Sequence, residues 1–274
     1  MTLRELEERL SLAGIEEVRR EAAILAEHFC GIPQSRQPFM RDAELGSERI
    51  ADALCRRISG EPLQYIIGVW DFMNETYEVT PDVLIPRQDT ETLVEWAIKN
   101  APEGGRVADL CTGSGCVAVS ALARRRDLTC VAVDKYPEAI ALAKRNAERN
   151  GVADRIEFRV CDVLTDVCPG EPFDAVLSNP PYVTAKEYAD LQKEVCHEPE
   201  HALTDGADGL TFYRRILEVY PARLAPGGTI ALEIGSSQAK DVCAIAEKRG
   251  MKTSIIKDYS GHDRVAVCEK EEDA

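Results

Sequence analysis

The sequence predicts an α/β fold: a doubly wound, mostly parallel sheet preceded by a small N-terminal helical domain, with a β-hairpin linking the two. Three observations carry this prediction. From residue 106 onward, short apolar runs rich in β-branched residues alternate with helical segments, the pattern that builds a parallel sheet covered on both faces. Residues 1–75 instead show helical periodicity and no strong strand. Between them, Val69, Phe72, Tyr77, Val79, Val83 and Leu84 are β-type residues, broken by Asn74 and by Pro81-Asp82, which reads as a hairpin. The boundary is expected near residue 75, with a larger second domain over 76–274.

The elements follow in order. Thr2 with Glu5 is a capping-box start, and Leu3, Leu6 and Leu10 give the first helix its apolar stripe. A second helix is expected over 16–30, stopped by Gly31-Ile32-Pro33, and a third over 47–58, stopped by Gly60 and Pro62. Acids outnumber bases through Thr80, so this is a small acidic bundle. A helix over 90–99 follows the hairpin, capped by Thr90 or Asp89. Strands are expected over 106–110, 129–134, 156–162, 173–178 and 229–234, with helices over 116–125, 137–150 and 211–224. Asn150-Gly151 ends the middle helix, and Pro226-Gly227-Gly228 turns the chain after the last one. Strands over 253–256 and 264–268 have no helix between them and are expected to pair antiparallel.

The 33 basic and 48 acidic residues give a net charge of −15. Nucleic-acid phosphates demand a basic footprint, so such a surface repels them. It would draw in a basic protein partner, or simply keep the chain soluble. None of the ten cysteines forms a Cys-x-x-Cys pair or sits at zinc-like spacing with a histidine, so no metal site is expected. Several lie in apolar runs, as in Thr129-Cys130-Val131, and read as small buried hydrophobes in a reducing compartment. The charged, amphipathic N-terminus has no apolar signal core, and no stretch approaches the ~18 apolar residues of a membrane span. A cytoplasmic location is expected.

The first strand of the second domain runs into Cys111-Thr112-Gly113-Ser114-Gly115 and then a helix. Glycines at that junction let the backbone turn tightly and approach a ligand. A plain strand-to-helix turn or a nicotinamide-nucleotide loop would look similar. However, the third glycine of Gly-x-Gly-x-x-Gly is lacking, and no phosphate-loop lysine follows. The second strand ends at Asp134, where an acid can accept both hydroxyls of a ribose. At the end of the third strand, Asp162 or its backbone neighbours can reach an adenine. Either aspartate alone could be a helix cap or a solvated turn. Together with the loop they mark three successive strand ends, where such sheets bind ligands, and describe one nucleoside pocket.

The fourth strand ends in Asn179-Pro180-Pro181-Tyr182. Two prolines fix φ, donate no backbone hydrogen bond and push the preceding residues out of the helical region. The result is a stiff, extended turn beside the ligand crevice. The Asn179 side-chain oxygen and the Pro180 carbonyl can each accept one N–H of an amide or exocyclic amine. Such a nitrogen has a delocalised lone pair and is a poor nucleophile. Two acceptors fix it and oppose the positive charge that grows on it as a methyl group arrives. Tyr182 offers a flat face to a planar substrate.

Over nearly its whole length the chain resembles the peptide chain release factor glutamine N5-methyltransferases, the PrmC/HemK family. The resemblance rests on Gly60-Glu61-Pro62-Leu63-Gln64-Tyr65-Ile66 and on Leu84-Ile85-Pro86-Arg87-Gln88-Asp89-Thr90-Glu91. It continues with the 109–115 loop, Asp134, Asn179-Pro180-Pro181-Tyr182, and Glu198-Pro199-Glu200-His201-Ala202-Leu203 leading to Asp208-Gly209-Leu210. It implies a class I, Rossmann-like methyltransferase domain, with S-adenosyl-L-methionine as cofactor and the glutamine of a Gly-Gly-Gln motif in release factors as substrate. It implies that Cys111, Thr112, Gly113, Ser114, Gly115, Asp134, Asp162, Val163 and Asn179 hold the donor. Asn179, Pro180, Pro181 and Tyr182 would hold the glutamine, with Asn179, Pro180 and Tyr182 catalytic, and the helical domain would engage the release factor. Asn-Pro-Pro-Tyr also occurs in adenine-N6 methyltransferases of DNA or RNA, a rival that the acidic charge disfavours. Two positions depart from the family pattern. Cys111 stands where glycine is common and is expected to fit at negative φ. Gln88 stands where proline is common. Arg87 and Glu91 are expected in an ion pair or cap, and Glu198-Pro199 and His201 in a structural loop.

Overall fold

The N-terminal capping box forms as its residues predict. The Glu5 N–H donates to the Thr2 hydroxyl at 3.2 Å, and the Thr2 N–H donates to the Glu5 carboxylate at 2.9 Å. In the computed structural model, which describes residues 1–167, 172–191 and 194–270, this starts helix α1 (Leu3–Leu12), with Leu3, Leu6 and Leu10 buried. Helices α2 (Val18–Cys30), α3 (Glu48–Ile58) and α4 (Leu63–Ile67) complete a helical unit. Gly31 ends α2 in the left-handed conformation, at φ 66°. The unit spans residues 1–69 and also takes in 194–197. Inside it, Arg57 is 4% exposed and bonds Glu21 at 2.6 Å and Glu194 at 2.8 Å, so its buried charge is fully paired.

The second unit begins at Trp70, several residues before the expected boundary. Hairpin strands β1 (Val69–Phe72) and β2 (Glu75–Glu78) explain the shift, because Phe72 and Tyr77 bury themselves in that unit's core. Met73 turns the hairpin at φ 56° and donates its N–H to the Glu91 carboxylate at 3.2 Å. Helix α5 (Glu91–Asn100) follows a short 3-10 turn, Gln88–Thr90. Neither Thr90 nor Asp89 caps α5 with its side chain, contrary to expectation, because the Thr90 hydroxyl is used elsewhere.

The remaining strands are β3 (Arg106–Leu110), β4 (Thr129–Asp134), β5 (Ile156–Val160), β6 (Phe173–Ser178), β7 (Leu224–Glu233), β8 (Met251–Lys257) and β9 (Asp263–Lys270). They form one sheet of order β5-β4-β3-β6-β7-β9-β8. Its pairs are parallel except β7·β9 and β8·β9, so the final hairpin is antiparallel as expected. Helices α6 (Cys116–Arg124) and α7 (Pro137–Arg149) follow β3 and β4. Helices α8 (Ala185–Ala189), α9 (Glu200–Leu203) and α10 (Thr211–Val219) lie between β6 and β7, and α11 (Ala239–Glu247) precedes β8.

Strand period two sorts the core into two faces. Val107, Cys130, Ala132, Ala175 and Leu177 join Leu93, Ala97 and Leu122 of the α5–α6 side. Ala108, Val131, Val133, Val176 and Ile230 join Tyr213, Ile216 and Val242 of the α10–α11 side. Each fully buried Val, Leu or Phe contributes roughly 1.5–3 kcal/mol, and this double cover fixes where the strand ends lie. The 226–228 turn is in fact part of β7, as an irregularity opposite Phe173 and Ala175, where a strand tolerates Pro226. Cysteines 116, 130, 161 and 268 are buried, whereas Cys55 and Cys196 are exposed. Cys168 and the acidic end 271–274 lie outside the described residues.

Candidate active site

Strand register brings the candidate groups into one row. Leu110 pairs with Val133 and with Ser178, and Ser178 pairs with Leu232. One residue further on, Cys111, Asp134, Asn179 and Glu233 therefore stand side by side at the carboxyl ends of four adjacent strands. Between β4 and β6 the strand order reverses about β3, the switch point where open α/β sheets bind ligands. A cavity of about 250 Å³ opens there, in the second unit, lined in part by Cys111, Gly113, Asp134, Val163, Asn179 and His201.

The loop after β3 has the glycines its geometry needs. Gly113 and Gly115 have φ of 53° and 82°, and a Cβ on Gly115 would lie 3.0 Å from the Ala143 Cβ. The loop is tied from behind by Asn146, which donates to the Ser114 carbonyl at 2.9 Å and pairs with the backbone of Glu78. Beneath it, Asp109 accepts from the Thr112 hydroxyl at 2.6 Å and from the Ala118 N–H at 3.2 Å, at the start of α6. Burial pushes the Asp109 carboxyl up to about 7, and its Oδ1 has no partner among the described residues.

Cys111 departs from expectation: its φ is 59°, in the left-handed region, not negative. Strain of roughly 1–2 kcal/mol follows for a residue with a Cβ. The half-buried side chain packs against the α10–α11 core and lines the cavity without filling it. Burial, and then the charge of Asp134, push its thiol well above the ordinary range, so it is a packing group and a poor nucleophile. Cys111→Gly is expected to leave the urea midpoint nearly unchanged, since lost packing offsets relieved strain. Cys111→Val should be less stable than Cys111→Gly by about 2 kcal/mol, because a β-branched residue is an outlier at positive φ.

Asp134 Oδ2 accepts from the Gly113 N–H at 2.9 Å and Oδ1 from the Tyr136 N–H at 3.0 Å. Each oxygen keeps a lone pair for a ligand hydroxyl. Burial raises the Asp134 carboxyl, and the backbone donors partly restore it. Asp162, two residues past β5, bonds the Leu164 N–H at 3.0 Å and Lys135 Nζ at 3.0 Å. Beside them Val163 and the rings of Tyr136 and His201, with centroids 3.8 Å apart and planes tilted by 34°, give the cavity an apolar end. His201 thus borders the pocket. Glu198 ties the chain entering it, by accepting from Arg87 and from the Ile85 N–H at 3.0 Å.

At the other end, Asn179 Nδ2 donates to the Thr90 hydroxyl at 3.1 Å, which turns Oδ1 away from Thr90. Asn179 and Pro181 line the cavity, whereas Pro180 and Tyr182 are not among its lining residues. The half-buried Tyr182 ring packs on the α10–α11 core, and its hydroxyl donates to Glu233 at 3.3 Å. Gln238 clamps this strand end by donating to the carbonyls of Tyr182 at 2.9 Å and Gly209 at 3.2 Å. A Cβ on Gly209 would lie 2.3 Å from the Tyr182 carbonyl oxygen.

Residues 88–233 match the family described as Methyltransferase small domain, and residues 2–68 match the PrmC N-terminal domain. A release factor glutamine methyltransferase of Cereibacter sphaeroides is 40% identical over 262 residues, spanning 94% of this chain and 93% of the relative. The chain belongs to the release factor glutamine methyltransferase family. A family member from Moorella thermoacetica is 37% identical and covers 100% of both chains. A methyltransferase structure from Pyrococcus furiosus, 18% identical, covers 81% of this chain and 100% of its own, with a TM-score of 0.56, a likeness of fold. This member of the release factor glutamine methyltransferase family has a class I, Rossmann-like sheet. Its Glu233, Gln238, Asn146 and Tyr136 were not singled out from sequence. Of these, only Glu233 carries a signal there: an acid that closes an apolar strand, as Asp134 does.

Proposed function

We propose that the protein transfers a methyl group from S-adenosyl-L-methionine to the side-chain amide N5 of the glutamine in the Gly-Gly-Gln motif of peptide chain release factors. The observation that carries this is Asn179. Its NH₂ is committed to Thr90, so its oxygen is free to accept an amide N–H beside a nucleoside-shaped cavity. The residues fit the donor: a glycine turn open to the cavity, a carboxylate at the second strand end, and an apolar end for the adenine.

Bound there, S-adenosyl-L-methionine supplies an electrophilic methyl on a positively charged sulfur, so no protein nucleophile or metal is needed. Residues 111–115 cradle the donor, Asp134 accepts its ribose hydroxyls, and Asp162 and Val163 face its adenine. Asn179 Oδ1 and the Pro180 carbonyl each accept one N–H of the glutamine amide, with Pro181 as a rigid wall and the exposed part of the Tyr182 ring as a flat face. The donor would give up its methyl carbon to the amide nitrogen, its sulfur leaving with the bonding pair, so positive charge would grow on that nitrogen. The two oxygens stabilise it until one proton leaves to water. The helical unit engages the release factor in a cytoplasmic setting, and the charge of −15 favours a protein over a nucleic acid substrate. Among the described residues no helix is long and apolar enough to cross a membrane.

The test is incubation with labelled donor and either release factor or nucleic acid, followed by mass analysis of the glutamine peptide. A gain of one methyl on that peptide is expected. Label found only in nucleic acid would reject the assignment.

A further inference from the structure

We infer that Thr90 is a positioning residue for methyl transfer: its buried hydroxyl receives the Asn179 NH₂ and keeps the Asn179 oxygen turned to the substrate amide. This rests on the assignment of Asn179 above. The side-chain amide of asparagine can rotate by half a turn and exchange oxygen for NH₂. In the exchanged state it would point N–H groups at the N–H groups of a glutamine and repel the charge that grows there. Something must therefore choose between the two orientations, and the choice is made behind the cavity.

Thr90 is 1% exposed and takes the Asn179 N–H at 3.1 Å. On the neighbouring strand end Glu233, also 1% exposed, accepts from the Tyr182 hydroxyl at 3.3 Å.

The turn that carries Thr90 is fixed as well: Arg264 of β9 bonds Asp89 at 3.0 Å and Asp258 at 3.1 Å.

The test measures kcat, KM for release factor and the donor dissociation constant for Thr90→Val and Thr90→Ser. Thr90→Val keeps shape but removes the hydroxyl, and is expected to lower kcat by about 10–100-fold with KM and donor affinity within about threefold, as for a lost oriented donor or acceptor. Thr90→Ser restores the hydroxyl and should recover most of kcat. Near-normal kcat in Thr90→Val, equal losses in the valine and serine variants, or a parallel loss of donor affinity would each overturn the inference. A wild-type enzyme that binds donor but leaves glutamine unmethylated would overturn the substrate assignment instead, and the positioning role with it.

Discussion

Replacing Asn179 with Ala is expected to lower kcat by about 10²–10³-fold, the loss seen when one preorganised partner of developing charge is removed, equal to about 2.7–4 kcal/mol of barrier. The donor pocket is lined mainly by groups on other strand ends, so donor affinity should change by less than about tenfold. The two readouts separate because Asn179 stands just past β6 and Asp134 at the end of β4, on either side of β3. Single-turnover methylation with saturating donor, beside calorimetry of donor binding, checks both. A kcat near that of wild type would remove Asn179 from the chemistry. Equal losses of kcat and donor affinity would make it a donor ligand only.

Asp134→Asn should show the converse. Hydrogen bonds from ligand hydroxyls to a charged carboxylate are worth about 1.5–3 kcal/mol each. Losing the charge should weaken donor binding on the order of 10²-fold, with kcat at saturating donor much less affected. Stability should not fall in step. The Asp134 carboxyl is raised in the folded chain by burial, so its charged form works against folding above the unfolded pKa. Removing that charge offsets the loss of one backbone bond, and the melting temperature without donor should stay nearly constant. The raised pKa also sets a pH dependence. Donor affinity is fully present above it and is lost as pH falls through it, at a higher pH than for an ordinary aspartate. Calorimetric titrations over a pH series measure this, and the asparagine variant should show no such limb.

Much of the second domain was legible because its strands are apolar runs bounded by strong breakers. Strands 106–110, 129–134 and 173–178 have the expected limits, and helices α6 and α7 end within a residue of them. Helix α11 escaped notice because only Val242 and Ala246 are buried along it, which leaves too thin a stripe to read as helical period. Helices α8 and α9, with five and four residues, are too short to show a period at all. Asp134 and Asn179 were visible as polar residues that close apolar strands, beside a turn that could hold a ligand. Thr90 was read as a helix cap because its true partner lies far along the chain, and only sheet register makes them neighbours. Cys111 shows the limit of residue-type reasoning: its Cβ argued for negative φ, yet the turn into the glycine loop imposes the opposite sign.

The shared row of strand ends has a consequence for how such a catalyst diversifies. With the proposed assignment, each reacting partner would be gripped one step beyond a strand held by neighbours on both sides, so its spacing would be inherited from the ladder and not negotiated by flexible segments. New specificity could then arise through the crossovers between these strands without disturbing the row itself.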